Sequence, residues 1–321
     1  MAMTVRAGPD SPERRGASTC GGSIPGAPGK AAFTLALGSR APLPVLIAVP
    51  HAGRAYPPAL LDMMRHPEVA GPRLEDRFID LVAEAVARET GAALLVADAP
   101  RAMIDLNRAP DDVDWEMVVG APWPEVVRRA AGRRARSGLG LIPRRLPGMG
   151  ELWKRRLTRE DLAERITSVH QPYHAALSAA LESLRDRWGA ALLLDLHSMP
   201  PLGPKSGADP APDFVVGDRF GASCDRALAA AAFDHLAGHH RRAAHNRPYA
   251  GGFVLEHHGA PARGIHAMQV ELCRTAYLDA KLRQPGPGMQ QAIEIVAGLV
   301  RRMAGVLGDL AGQPAFPQAA E

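Results

Sequence analysis

Cysteine is scarce in this 321-residue chain: Cys20, Cys224 and Cys273 are the three, and no two of them form a CxxC pair. An odd number at such spacings does not make a disulfide framework, so a reducing cytoplasm is the expected compartment. Long apolar runs are missing too. No stretch approaches the roughly 18 apolar residues of a membrane-spanning helix, and the N-terminus carries charges and prolines where a signal peptide has an uninterrupted apolar run. A soluble protein that is not exported is expected. Nor is there a dominant charge: 38 Lys plus Arg stand against 34 Asp plus Glu, a net charge of +4. The excess sits in arginine clusters, of which RRAAGRRARSG at 128–138 has no interleaved aromatics and therefore no stacking platform for single-stranded nucleic acid. It reads as a solvated helix or a loop beside the site. Neither nucleic acid nor a membrane is an expected partner, and nothing in the pattern sets the oligomeric state.

What is present is alternation. Residues 1–30 and 312–321 are rich in small and turn-forming residues without periodicity, and are expected to be flexible tails flanking one domain over 31–311. Within it, PVLIAVP (44–50), AALLVAD (92–98), ALLLDLH (191–197), DFVVGD (213–218) and GIHAMQVEL (264–272) have strand length and composition. Segment 74–90 puts Leu74, Phe78, Ile79, Val82, Ala85 and Val86 on one helical face and ends at Gly91, a C-cap. Segments 158–188, 223–236 and 289–307 also read as helices. Strands separated by helices imply an α/β fold: a single domain with a mixed, mostly parallel sheet and helices on both faces.

In such sheets ligands bind beyond the carboxyl ends of the strands. His51 follows the first predicted strand, in VPHAGRAYPP, and His197 closes another, in LLLDLHSMPP. Two imidazoles at equivalent edges suit a catalytic zinc site, which takes three protein ligands and keeps a position open. The third ligand is sought in RLEDRFID, where Asp76, Glu75 and Asp80 all qualify. Asp195, two residues before His197 on the strand, points the same way and suits an orienting partner. Glu271 lies in an apolar strand, where a carboxylate is costly unless paired or used; it is the candidate general base, with a salt bridge to Arg274 or Arg101 as the structural alternative. Cys273 shares its strand face and is the candidate nucleophile of a rival cysteine hydrolase. Asn107 and Arg108, in PRAMIDLNRAPDD, suit a substrate carboxylate, since the arginine fork binds one bidentately. HNRPYAGGFVLEHHG brings Asn246, two glycines that permit close backbone approach, and His257, a candidate for oxyanion stabilisation or proton transfer, with His258 the less favoured neighbour.

Taken in order, VPHAGRAYP, PRAMIDLNR, LLLDLHSMP, HNRPYAGGFVLEHHG and GIHAMQVEL resemble the N-formylglutamate amidohydrolase family over roughly residues 44–280, and more distantly the zinc carboxypeptidases and aspartoacylases. The resemblance implies a zinc-carboxypeptidase-like fold holding one Zn2+ on His51, Asp76 and His197. It implies Arg108 with Asn107 on a substrate carboxylate, and Glu271 as the base. Carboxypeptidases place a ligand glutamate three residues after the first histidine, where this chain has Arg54; Arg54 becomes a second candidate anion contact. The implied partner is a small-molecule N-acyl amino acid, N-formyl-L-glutamate foremost. A metallocarboxypeptidase-like peptidase and a non-catalytic binding protein on the same fold are the alternatives. The arginine-rich segment 128–156 is unlike better-known members.

Overall fold

The computed structural model describes residues 18–38, 41–120, 132–207 and 210–312. Ten strands are present among them: β1 (Ser18–Gly21), β2 (Phe33–Ala36), β3 (Val45–Val49), β4 (Ala93–Ala97), β5 (Arg145–Leu146), β6 (Gly150–Glu151), β7 (Ala191–Met199), β8 (Phe214–Gly217), β9 (Ala243–His245) and β10 (Ile265–Cys273). Eight of them form one sheet in the order β1-β2-β4-β3-β7-β10-β8-β9, while β5 and β6 pair separately. The middle of the large sheet, β4-β3-β7-β10, is parallel; β1, β2 and β8 pair antiparallel with β2, β4 and β10, and β9 returns parallel to β8. All residues of β3, β7 and β10 are buried, as expected of parallel strands covered on both faces.

Two cores lie on opposite faces of the sheet. One takes Leu46, Leu193 and Ala267 from the strands, and Leu60, Leu74, Tyr173 and Leu181 from the helices over them. Those helices are α1 (Pro58–Met63), α2 (Pro67–Leu74), α5 (Arg159–Arg165), α6 (Gln171–Trp188) and α8 (Phe253–His258). The other core takes Ile47, Leu194, Leu196, Val270 and Leu272, packed by α3 (Ile79–Thr90), α7 (Arg226–Gly238) and α9 (Met289–Leu310). A short helix α4 (Arg133–Arg136) lies in the arginine-rich segment. On the first face, Ala191 and Leu193 of β7 are followed by Asp195 and His197; on β10, Ile265 and Ala267 are followed by Gln269 and Glu271. Core gives way to site within each strand.

Two sequence expectations need correction. The helix expected over 74–90 is two helices. Glu75 is extended at the end of α2, and Phe78 is left-handed (φ 59°) before α3. Asp76 therefore lies in a connector, not in a first helical turn, and its N–H donates to the carbonyl of His51 (2.8 Å). Gly91 is the C-cap as expected, at φ 76° with its N–H on Ala87. The boundary expected at residue 30 also differs: β1 pairs with β2, Ile24 is buried, and the Ser23 N–H donates to Ser168 (2.9 Å). A four-residue edge strand with three exposed positions has no apolar alternation to reveal it. Residues 1–17 and 313–321 of the expected tails, and 128–131 of the basic run, lie outside the described residues.

Candidate metal centre and active site

Three strand ends and one connector converge. His51 follows β3, His197 and Asp195 close β7, Glu271 sits beside His197 in the parallel β7/β10 register, and Asp76 is drawn in by its backbone bond to His51. His51, Asp76 and His197 are all buried, and one ligand atom of each lies within 4.8 Å of the other two.

The orientation of the two rings carries the chemistry. His51 donates Nε2–H to Asp105 Oδ1 (2.7 Å), and His197 turns Nε2 to Asp195 Oδ2 (2.9 Å). Each ring thus has one nitrogen held by a buried carboxylate, and both Nδ1 atoms face the same oxygen, Asp76 Oδ2, at 3.6 and 2.9 Å. With its proton on Nε2, His51 presents an Nδ1 lone pair toward a carboxylate; that atom is buried and has no hydrogen-bond partner. A lone pair aimed at an anion is unfavourable unless a cation lies between them, so the donor set fits a metal ion. Carboxylates behind ligand histidines are the usual means of fixing the tautomer and raising basicity.

Burial by itself raises the Asp76 carboxyl, but His197, whose Nδ1 lies 2.9 Å from Asp76 Oδ2, outweighs it and holds the group well below the ordinary carboxylate range. Asp105 is likewise held low against burial by Arg101, His51 and Arg108; the Arg101 Nε bond is 2.9 Å. Burial opposes protonation of His197, yet the charge and hydrogen bond of Asp195 win and raise it well above its usual value. Glu271 shows the opposite balance: burial pushes its carboxyl up to about 7, His197 pulls it down, and Asp76 pushes it up.

His51, Asp76, His197 and Glu271 line one cavity with Arg101, Asn107, Arg108 and Arg274. Glu271 makes neither of the salt bridges considered from sequence; its Oε1 accepts from the Gln269 amide (3.0 Å). Arg108 donates Nε to Leu139 O and Nη1 to Asn107 O, both 3.0 Å, which fixes its plane. Asn107 is itself anchored: Oδ1 accepts the Val254 N–H (3.0 Å), and Nδ2 meets Gln269 Oε1 at 3.4 Å. Gly252 makes this possible, because a Cβ there would stand 2.5 Å from Asn107 Oδ1.

Arg54, Asn246 and His257 do not line the cavity. Arg54 pairs with Asp80 and stacks on Phe78, so both Asp80 and Arg54 are committed to each other. Glu75 pairs with Arg77 (2.8 Å). Asn246 is buried against Asp218 (2.7 Å). His257 is exposed and stacks on Phe253 at 4.9 Å, whereas its neighbour His258 is buried. Cys273 is buried, with Sγ 3.1 Å from Thr275 Oγ1, and does not line the cavity. Sequence reasoning missed Asp105. Its signal was an acidic residue inside the apolar AMIDL, a costly placement that requires a partner.

The sequence pattern of the N-formylglutamate amidohydrolase family matches residues 43–278, a span that contains the whole convergent cluster. The N-formylglutamate deformylase of Pseudomonas putida is 32% identical over 248 residues, covering 74% of this chain and 82% of that protein. The protein of the same name from Pseudomonas aeruginosa is 30% identical over 251 residues, covering 75% and 84%. The crystal structure of N-formylglutamate amidohydrolase from Ralstonia eutropha JMP134 superposes with a TM-score of 0.77 at 33% identity, covering 87% of this chain and 99% of that one. With a fold, a sequence pattern and relatives matched over most of their length in agreement, this chain belongs to the N-formylglutamate amidohydrolase family.

Proposed function

We propose that the chain is a zinc-dependent amidohydrolase that cleaves the amide of an N-acylated acidic amino acid, N-formyl-L-glutamate foremost, to formate and L-glutamate. The observation that carries this reading is the pair of Nδ1 atoms on His51 and His197 facing Asp76 Oδ2, with each opposite nitrogen held by a carboxylate. The names of the relatives support the substrate. Two imidazoles and one carboxylate are a suitable set for one catalytic zinc, with His51, Asp76 and His197 as ligands. When bound, zinc supplies the Lewis acidity that polarises a carbonyl and acidifies water.

The chain's own residues do the rest. Glu271, on the strand next to His197, takes the proton of the attacking water and returns it to the amide nitrogen as the C–N bond breaks. A carboxyl whose affinity for protons lies near neutrality suits both transfers. Arg101, bonded to Asp105, and Arg274, 3.6 Å from Asp76, are cavity cations beside the acidic cluster and favour negative charge developing there. Arg108, its plane fixed by two carbonyls, presents its remaining Nη2 edge for a substrate carboxylate. Asn107 serves by holding that loop in place.

The test is metal analysis followed by turnover on N-formyl-L-glutamate. Chelation is expected to abolish hydrolysis, and Glu271→Gln to retain the metal while losing about 10²–10⁴-fold in kcat. Activity that survives metal removal, or a fully active Gln variant, refutes the mechanism. A peptide panel separates the peptidase alternative, and tight binding without product under zinc-replete conditions identifies a binding protein.

A further inference from the structure

One helical segment grips the loop that carries the site's supporting residues. Arg165 donates Nη1 to Met103 O (3.0 Å), His174 is bonded through Nε2 to Leu106 O (3.0 Å), and His170 through Nε2 to Arg108 O (2.9 Å). All three side chains belong to buried residues. The carbonyls they hold alternate with Asp105, which supports His51, and Asn107, and end on Arg108 itself.

Local sequence explains how one segment reaches so far along a loop. In a regular α-helix, residues five apart point about 140° away from one another, so Arg165 and His170 would not share a face. Ile166–His170 forms a π turn, closed by the Gln171 N–H on Ile166 O, and this brings residues five apart into line. Pro172 has no N–H to give to Ser168 O, and that carbonyl instead accepts from Ser23. From His170 to His174 the ordinary four-residue spacing applies.

The tautomers are fixed by a chain of bonds. Leu106 O can only accept, so neutral His174 carries its proton on Nε2 (3.0 Å). Its Nδ1 lone pair then accepts from His258 Nε2–H (2.9 Å), and the His258 Nδ1 left without a proton accepts from Ser178 Oγ–H (3.2 Å). Burial lowers all three imidazoles, His174 to about 2 and His258 to about 3, with the neighbouring histidines adding to the shift for His174 and His258.

We propose that His170 and His174 are positioning residues of the active site: neutral donors that set the 105–108 loop, His174 for the Asp105 support of the metal ligand His51, and His170 for the Arg108 contact with substrate. The assignment to Arg108 rests on the function proposed above; the assignment to Asp105 rests on the metal centre alone. The experiment compares His170→Leu and His174→Leu with His170→Gln and His174→Gln, in which an amide N–H can replace the imidazole donor. Zinc itself is the first probe, titrated against a competing chelator. His174→Leu is expected to hold it about tenfold more weakly and His174→Gln to recover most of the loss. On N-formyl-L-glutamate, His170→Leu is expected to raise KM about tenfold with kcat little changed, and His170→Gln to restore it. Leu variants that match the parent protein in both zinc affinity and KM overturn the proposal. If the Leu variants do not fold, nitrogen-15 imidazole spectra of the unaltered protein decide: both rings must show Nε2–H, and an Nδ1–H form of either overturns its role. If the parent protein hydrolyses nothing, the function fails, while the zinc titration and the spectra still read the positioning of Asp105.

Discussion

At the scale of single residues, the site depends on which nitrogen of each histidine is occupied. In the proposed metal centre Asp105 has the same part for His51 as Asp195 has for His197, because a proton held on Nε2 by the carboxylate would leave Nδ1 for the ion. Asp105→Asn keeps the shape but offers Nε2 a group that can itself donate, so the His51 tautomer is no longer set. Zinc affinity is expected to fall by about 10–100-fold, as measured by chelator competition; an unchanged affinity would show that His51 does not need this partner. The sequence made one of these supports readable and hid the other. Asp195 stands two positions from His197 on a strand, and period-two geometry puts them on one face. Asp105 comes from a loop 54 residues beyond His51, and no local periodicity links the two.

At the scale of elements, the parallel strands and long helices were legible because burial on both faces demands continuous apolar runs, and because a 3.6-residue stripe needs only local sequence. The break between α2 and α3 was not. Leu74, Phe78 and Ile79 keep a helical stripe through it, yet extended Glu75 and left-handed Phe78 turn Asp76 into the site. Close approach of two loops shaped the other side of the cavity. At Gly252, φ is −117°, so a side chain is not excluded by the backbone; space is what excludes it, with Asn107 Oδ1 2.5 Å and Asn107 O 3.0 Å from an added Cβ. Gly252→Ala is expected to push Asn107 off the Val254 N–H and lower stability by about 1–3 kcal/mol, with KM rising more than kcat falls. Urea midpoints with an unchanged slope, alongside steady-state kinetics, check both parts; a variant equal to the parent in both shows that the loop gives way freely.

At the scale of the whole molecule, the order of the eight-stranded sheet was beyond sequence reading, since β1, β2 and β9 are three or four residues long and take their place only by pairing. The same global packing decides how stability responds to acid. His174 and His258 have folded-state affinities near 2 and 3, below the ordinary 6.5 that they regain on unfolding. Below pH 6.5 the unfolded chain therefore binds two protons that the folded chain refuses, and stability falls as pH falls. Glu271 acts against this: raised to about 7 from 4.5, it takes up a proton in the folded state first, and this adds stability as pH drops toward 4.5. Two histidines outweigh the one carboxyl, and His170, His235 and His266, also lowered by burial, act in the same direction, so stability declines between pH 6.5 and pH 5. Asp76 and Asp105, held low by their partners, add their own loss only as pH falls below about 4. Urea unfolding of the metal-free protein at pH 6.5, 5.75 and 5 is expected to show this decline, and His258→Gln to flatten it by removing one of the two refused protons. A decline of the same steepness in that variant would mean that the buried histidine pair does not govern the acid limb.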